Sequence, residues 1–148
     1  MRHKIHALKS EIYINTQTQV HYRWFFESEI KRHYFHVKSL DQIQVSNWRR
    51  YLDFEVGLGD ETRICALFKR CLVPCAMYEE FSVRFAKYLE SIGKVDEARS
   101  CFQRACDIFI PVGRPQIRLL YAEFEELNGN IESCRDIYKK TNVNGFFI

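Results

Sequence analysis

The chain has 148 residues, 47% of them apolar and 28% charged, with a formal net charge of +3 and only six Gly and three Pro. That is enough chain for one domain with its own core, and the absence of any apolar run of about eighteen residues, or of an uninterrupted apolar stretch in MRHKIHALKSE, argues against a membrane span or a secretory signal. A soluble intracellular protein is expected, in which cysteines at 65, 71, 75, 101, 106 and 134, without a CxxC pair, are free thiols rather than disulfides or zinc ligands.

The first predicted helix covers 4–33, whether continuous or broken. Residues 1–50 carry nine Lys/Arg against four Asp/Glu, a balance of +5, whereas 51–148 carry thirteen against fifteen, a balance of −2. Within the basic part, Trp24, Phe25, Phe26, Tyr34 and Phe35 interleave with Arg23, Lys31, Arg32 and Lys38. Rings and cations mixed in this way suit base stacking with phosphate contacts, which makes Arg23, Lys31, Arg32 and Lys38 candidate RNA or partner contacts. Rings at helical spacing also suit a core with its cations turned to water, and this second reading is favoured. The five His all lie within the first 36 residues, and His3/His6 and His33/His36 stand at i, i+3. Neither pair has an acid or Cys placed to complete a metal site, so none is assigned.

Further helices are predicted at 41–57, 60–73, 76–92, 95–109, 114–128 and 131–141, because apolar residues recur at three and four rather than two. Ser39 with Gln42, Asp60, and Asn130 are the start signals. Gly57 with Gly59, Gly93 and Gly129 follow helical patterns and are placed to end them in a left-handed turn.

A pattern then repeats. Tyr51 is followed by Phe54 and Glu55; Phe85 by Tyr88 and, one place late, Glu90; Tyr121 by Phe124 and Glu125. The first aromatics lie 34 and then 36 residues apart, and each is followed 17 residues later by another: Tyr51 by Phe68, Phe85 by Phe102, Tyr121 by Tyr138. A basic residue stands two places beyond each of these, at Arg70, Arg104 and Lys140. Two helices per period of this length are the mark of an all-α solenoid of antiparallel hairpins. The rings at Trp48, Tyr51, Phe54, Phe68, Phe85, Tyr88, Phe102, Tyr121, Phe124 and Tyr138 are expected to be buried structural positions. Whether each repeat Glu pairs with the base of its own hairpin or with a neighbouring one stays open at this level.

No GxSxG, P-loop or dinucleotide fingerprint is present, and carboxylates that recur at equivalent positions lack the two contrasting environments of an acid–base pair. No catalytic residue and no cofactor are assigned.

Aromatic-x-x-aromatic-Glu on the first helix of each unit, with small-Arg-x-x-aromatic-x-Arg on the second (Ala98, Arg99, Phe102, Arg104), resembles the HAT, or half-a-TPR, repeat. Residues 1–40 are then an N-terminal long helix and connection. Residues 41–148 hold three repeats, at about 44–75, 76–111 and 114–141, in one continuous solenoid with a short divergent tail. The segments IKRHYFHVKSLDQIQVSNW, CALFKRCLVPCAMYEEF and FQRACDIF resemble the pre-mRNA-processing factor 39 family, of which only part of the length is matched, the early portion of its second HAT array. The family pattern has Pro where this chain has His33 and Ser39, and the ending TNVNGFFI departs from it, which points to a fragment, a truncated isoform or a divergent paralogue. The resemblance implies a nuclear, non-catalytic scaffold of pre-mRNA splicing. It implies spliceosomal protein partners of the U1 small nuclear ribonucleoprotein, dimerisation with itself or a related HAT protein, mainly indirect contact with RNA and no membrane. Alternatives are a direct RNA-binding module using residues 23–38, or a scaffold of another complex such as mRNA 3′-end cleavage.

Overall fold

The computed structural model describes residues 1–142, and the divergent tail expected at the C-terminus lies largely outside them. The described residues form seven α-helices: α1 (Arg2–Glu29), α2 (Gln42–Leu58), α3 (Glu61–Cys71), α4 (Glu79–Ser91), α5 (Val95–Arg104), α6 (Gln116–Leu127) and α7 (Ile131–Asn142), with a π-helical turn, Ala105–Phe109, continuing α5. Antiparallel pairs α2/α3, α4/α5 and α6/α7 pack as hairpins and stack in chain order, with α1 lying against α2. Among the described residues no helix is long and apolar enough to cross a membrane.

The hairpin turns follow from their residues. Gly59, Gly93 and Gly129 sit at φ of +78°, +80° and +81°, a left-handed conformation that a Cβ would disfavour and that frees the chain to reverse. Gly57 does not share this role, because it lies inside α2. Asp60 caps α3 by accepting from the Arg63 N–H at 3.2 Å. Asp41, not Ser39, stands at the N-cap of α2 and makes no side-chain cap bond, while the Asn130 side chain is spent on Glu125.

α1 ends at Glu29, short of the predicted 33, for a reason carried by distant residues. Gln44 donates to the Glu29 carbonyl at 2.6 Å and accepts from the Lys31 N–H at 3.1 Å, and Asn47 donates to the Phe26 carbonyl at 3.0 Å. Two buried amides of α2 thereby satisfy the orphan groups at the end of α1. Ile30 turns extended and buries its side chain.

The π-helical turn has an equally specific support. Arg118, buried on α6, donates to the carbonyls of Cys106 at 2.6 Å, Ile110 at 3.0 Å, Pro111 at 3.1 Å and Arg114 at 3.2 Å. One guanidinium thereby ties the π-helical turn, at Cys106, to the segment from Ile110 to Arg114 that leads into α6. The core is continuous along the stack, from Ile30 and Leu40 through Trp48, Phe68 and Phe85 to Ile117 and Phe124.

Candidate interaction surface and the joints that shape it

Each hairpin meets the preceding helix through the same set of rings. Phe26 of α1 stacks on Tyr51 at 5.0 Å and lies against Phe54 at 5.3 Å. Phe68 of α3 stacks on Phe85 at 4.9 Å and on Tyr88 at 6.0 Å. Phe102 of α5 stacks on Tyr121 at 5.4 Å and lies against Phe124 at 5.4 Å. One ring from the second helix of a unit thus seats between two rings spaced i, i+3 on the first helix of the next. α1 enters this scheme as a second helix, with Phe26 in the role of Phe68 and Phe102. Its place was not visible in the repeat spacing, because the connection at residues 30–41 lengthens the interval from Phe26 to Tyr51.

The recurrent acids find their partners across these joints. Glu55 accepts from Nε and Nη2 of Arg23 on α1, and Glu125 accepts from Nε of Arg99 on α5 at 2.7 Å. Arg23 and Arg99 each precede the joint's stacking ring by three residues, and each also lies over the second ring of the pair, Phe54 at 5.7 Å and Phe124 at 6.0 Å. Both carboxylates are buried, with side-chain exposures of 3% and 0%. Glu55 raises the proton affinity of the Arg23 guanidinium through its hydrogen bond, against an opposing effect of burial. Glu55 therefore pairs with neither Arg70 nor any base of its own hairpin.

The middle joint departs from this rule. Position four beyond Phe85 is Leu89, and position three before Phe68 is Cys65, both buried. Glu90, one place late, is exposed, so it does not take the role of Glu55 and Glu125. Here the charges move outward: Arg49 pairs with Glu80 at 2.7 Å, Arg84 with Asp53 at 2.5 Å and Lys94 with Glu61 at 2.8 Å, all with substantial exposure.

Of the predicted ring positions, Trp48, Tyr51, Phe68, Phe85, Phe102 and Phe124 are buried, and Phe54, Tyr88 and Tyr121 are half-buried against the core. Tyr138 is the exception at 43% exposure. It stands where Phe68 and Phe102 stand, but among the described residues no further first helix follows to cover it.

The basic segment divides. Arg23 is bound to Glu55 in a setting that leaves its side chain 12% exposed, which removes it from the candidate RNA contacts. Arg32 donates to the carbonyls of Lys38 at 2.8 Å and Pro74 at 3.4 Å and so ties the connection to the α3–α4 turn. Lys31 and Lys38 are exposed. The expectation that the rings of this segment pack into the core holds for Phe26 alone; Trp24, Phe25 and Tyr34 are exposed, and Phe35 touches Phe109 at 5.7 Å from a partly exposed position. Among the described residues no group of three His, Cys, Asp or Glu is placed to hold a metal ion. The cysteines are free, and burial pushes the thiols of Cys101 and Cys106 up to about 11, a setting of low reactivity.

Three grooves run between successive second helices. The α1/α3 groove is a cavity of about 410 Å³ lined by Arg23, Glu27, Tyr51, Glu55, Arg63 and Arg70 among others. The α3/α5 groove, about 460 Å³, has Leu72, Val73, Phe85, Leu89 and Phe109 in its lining. The α5/α7 groove is smaller, about 190 Å³, and is lined by Gln103, Asp107, Asp136 and Lys140 among others. In the first groove Glu27 accepts from both terminal nitrogens of Arg70, at 2.7 and 2.9 Å, and from the Tyr51 hydroxyl at 2.7 Å. The Arg70 bonds hold the Glu27 carboxyl below its ordinary range.

A family model described as the PRP39 C-terminal HAT repeat matches residues 21–145. The chain is 45% identical over 143 residues to a zebrafish (Danio rerio) protein named pre-mRNA-processing factor 39, which covers 97% of this chain and 19% of that protein. The proteins of the same name from Schizosaccharomyces pombe and Homo sapiens are 46% and 44% identical, each match covering 94% of this chain and 23% and 20% of the relative. The chain therefore spans about a fifth of the length of these relatives.

Proposed function

The chain belongs to the pre-mRNA-processing factor 39 family, and from that premise we propose that it is a non-catalytic HAT-repeat scaffold of pre-mRNA splicing. It acts in the nucleus through protein contacts of the U1 small nuclear ribonucleoprotein during 5′ splice-site recognition, and it associates with itself or with a related HAT protein. The observation that carries this reading is where the polar chemistry lies. The buried charged pairs Arg23–Glu55 and Arg99–Glu125 sit at joints between helices, and Arg118 supports a turn. Groups consumed in holding helices together are not free to transfer protons or bind a cofactor. What the stack offers instead is a row of grooves held in fixed order, which is how helical repeats present binding surfaces.

A second reading has its own support in the exposed Trp24, Phe25 and Tyr34, which share residues 23–38 with the exposed Lys31 and Lys38. Direct RNA binding there is salt-dependent and lost on replacing the two lysines. Affinity capture from nuclear extract, with and without nuclease and read by mass spectrometry, separates the two. The scaffold reading expects spliceosomal proteins to be retained after nuclease. Loss of all of them on nuclease treatment contradicts it and supports attachment through RNA.

A further inference from the structure

The α1/α3 groove closes its charges with its own residues. Glu27 follows the stacking ring Phe26 by one place, and Arg70 follows Phe68 by two; their bidentate pair spans the groove. One hairpin further along, the same two places hold Lys69, one beyond Phe68, and Arg104, two beyond Phe102. Both line the α3/α5 groove. The position that is a carboxylate in the first groove is thus a second cation in the next.

No ion pair forms at Lys69 or Arg104 among the described residues, and Arg104 instead lies over the Phe109 ring at 5.4 Å. The acids that share this groove are engaged elsewhere, Asp96 with Arg99 at 2.7 Å and Glu97 with Lys94 at 3.8 Å. Below the cations the polar groups of the first groove are also gone. Phe85 replaces Tyr51 and Leu89 replaces Glu55 at the equivalent positions, so the joint that lacks a buried ion pair among the described residues is also the joint whose groove has an apolar floor.

We propose that the α3/α5 groove docks an acidic, apolar peptide segment of a partner protein. Its carboxylate takes the place between Lys69 and Arg104 that Glu27 fills one groove earlier, and a bulky apolar side chain covers Leu72 and Val73 over the floor of Phe85 and Leu89. A carboxylate matches a guanidinium in a bidentate fork, and a cavity of about 460 Å³ lies in the range that holds a few side chains of a ligand. The apolar lining favours a peptide over a nucleic-acid backbone, whose phosphates would meet the cations but leave Leu72 and Val73 uncovered. The inference rests on the scaffold reading only in taking the partner to be a protein.

Fluorescence anisotropy with the full chain tests it. The probe is a short labelled peptide with a central Leu-Phe pair flanked by glutamates, compared with the same peptide flanked by lysines and with a single-stranded oligouridylate. The glutamate peptide is expected to bind, and Arg104→Gln to weaken it by about tenfold or more. Lys69→Glu is expected to weaken it at least as much while leaving thermal stability equal or higher, because Arg104 then gains a carboxylate within the chain. That gain separates a blocked groove from a misfolded protein. Arg63→Gln, in the neighbouring groove, is expected to leave binding unchanged. Binding of the glutamate peptide no tighter than that of the lysine peptide, or unaltered by Lys69→Glu, overturns the proposal. So does oligouridylate binding that depends on Lys69 and Arg104 in preference to the peptide. A chain that ignores the peptide yet retains spliceosomal proteins after nuclease overturns this inference and leaves the scaffold reading standing.

Discussion

The joint between α1 and α2 and the joint between α3 and α4 are built on the same three rings, yet they treat charge in opposite ways. At the first, Phe26 seats on Tyr51 and Phe54 beside the buried Arg23–Glu55 pair. At the second, Phe68 seats on Phe85 and Tyr88 beside Cys65 and Leu89, and the ion pairs lie outside on Arg49–Glu80, Arg84–Asp53 and Lys94–Glu61. The comparison separates what every joint needs from what it tolerates. Ring stacking is constant because it supplies the apolar area that drives association. A buried ion pair can be exchanged for apolar side chains because its Coulombic gain is largely offset by the cost of taking both charges out of water. The freedom left by that exchange falls in the groove, which is polar and self-neutralised beside the first joint and apolar beside the second.

The largest effect expected is at the constant element. Phe102→Ala empties the space between Tyr121 and Phe124 and should cost about 3–5 kcal/mol in chemical denaturation; a loss below about 1 kcal/mol would show that the rings are not what holds the joint. A smaller effect is expected from the groove pair of Glu27 and Arg70. The Glu27 carboxyl is held below its ordinary value of 4.5, chiefly by its bonds to Arg70. Its contribution is therefore present above that value and lost as pH falls through the lower folded one. Because Arg70 is 45% exposed, screening limits the contribution to about 1 kcal/mol. The stability gap between the parent and Glu27→Gln should accordingly be largest near neutrality and shrink in acid, read by denaturation at a series of pH values. Smallest is Tyr138→Ala, within about 0.5 kcal/mol. An aromatic ring at the same repeat position is exposed here, and a loss matching that of Phe102→Ala would mean that the ring is covered after all.

Sequence periodicity reached the hairpins and most of their core because local spacing determines both. Helical intervals of three and four gave six of the helices to within a few residues, and the glycines at 59, 93 and 129 marked the turns that their backbone conformation requires. What escaped had causes far along the chain. The end of α1 is set by Gln44 and Asn47, and the π-helical turn after α5 is supported by Arg118; neither leaves a mark near the boundary it controls. The repeated Glu was legible as a position but not as a pair. Its partner lies on the second helix of the preceding unit, and for Glu55 that unit is represented only by α1, outside the counted period. Glu90 shows the converse, since one place of slippage on a helix turns a side chain by about 100° and carries it from the joint to the solvent. The candidate contacts at residues 23–38 were legible as composition, but composition does not distinguish Arg23, spent on Glu55, from Lys38, left in water.

The most direct test of the two-joint account is a double-mutant cycle that rebuilds the first joint in the chemistry of the second, with Arg23→Cys, Glu55→Leu and their combination measured by chemical denaturation. The account predicts that Arg23→Cys alone, which strands a buried carboxylate, costs about 3 kcal/mol or more, and that the double variant returns to within about 1 kcal/mol of the parent. Additive losses, with the double variant the least stable of the set, would contradict it.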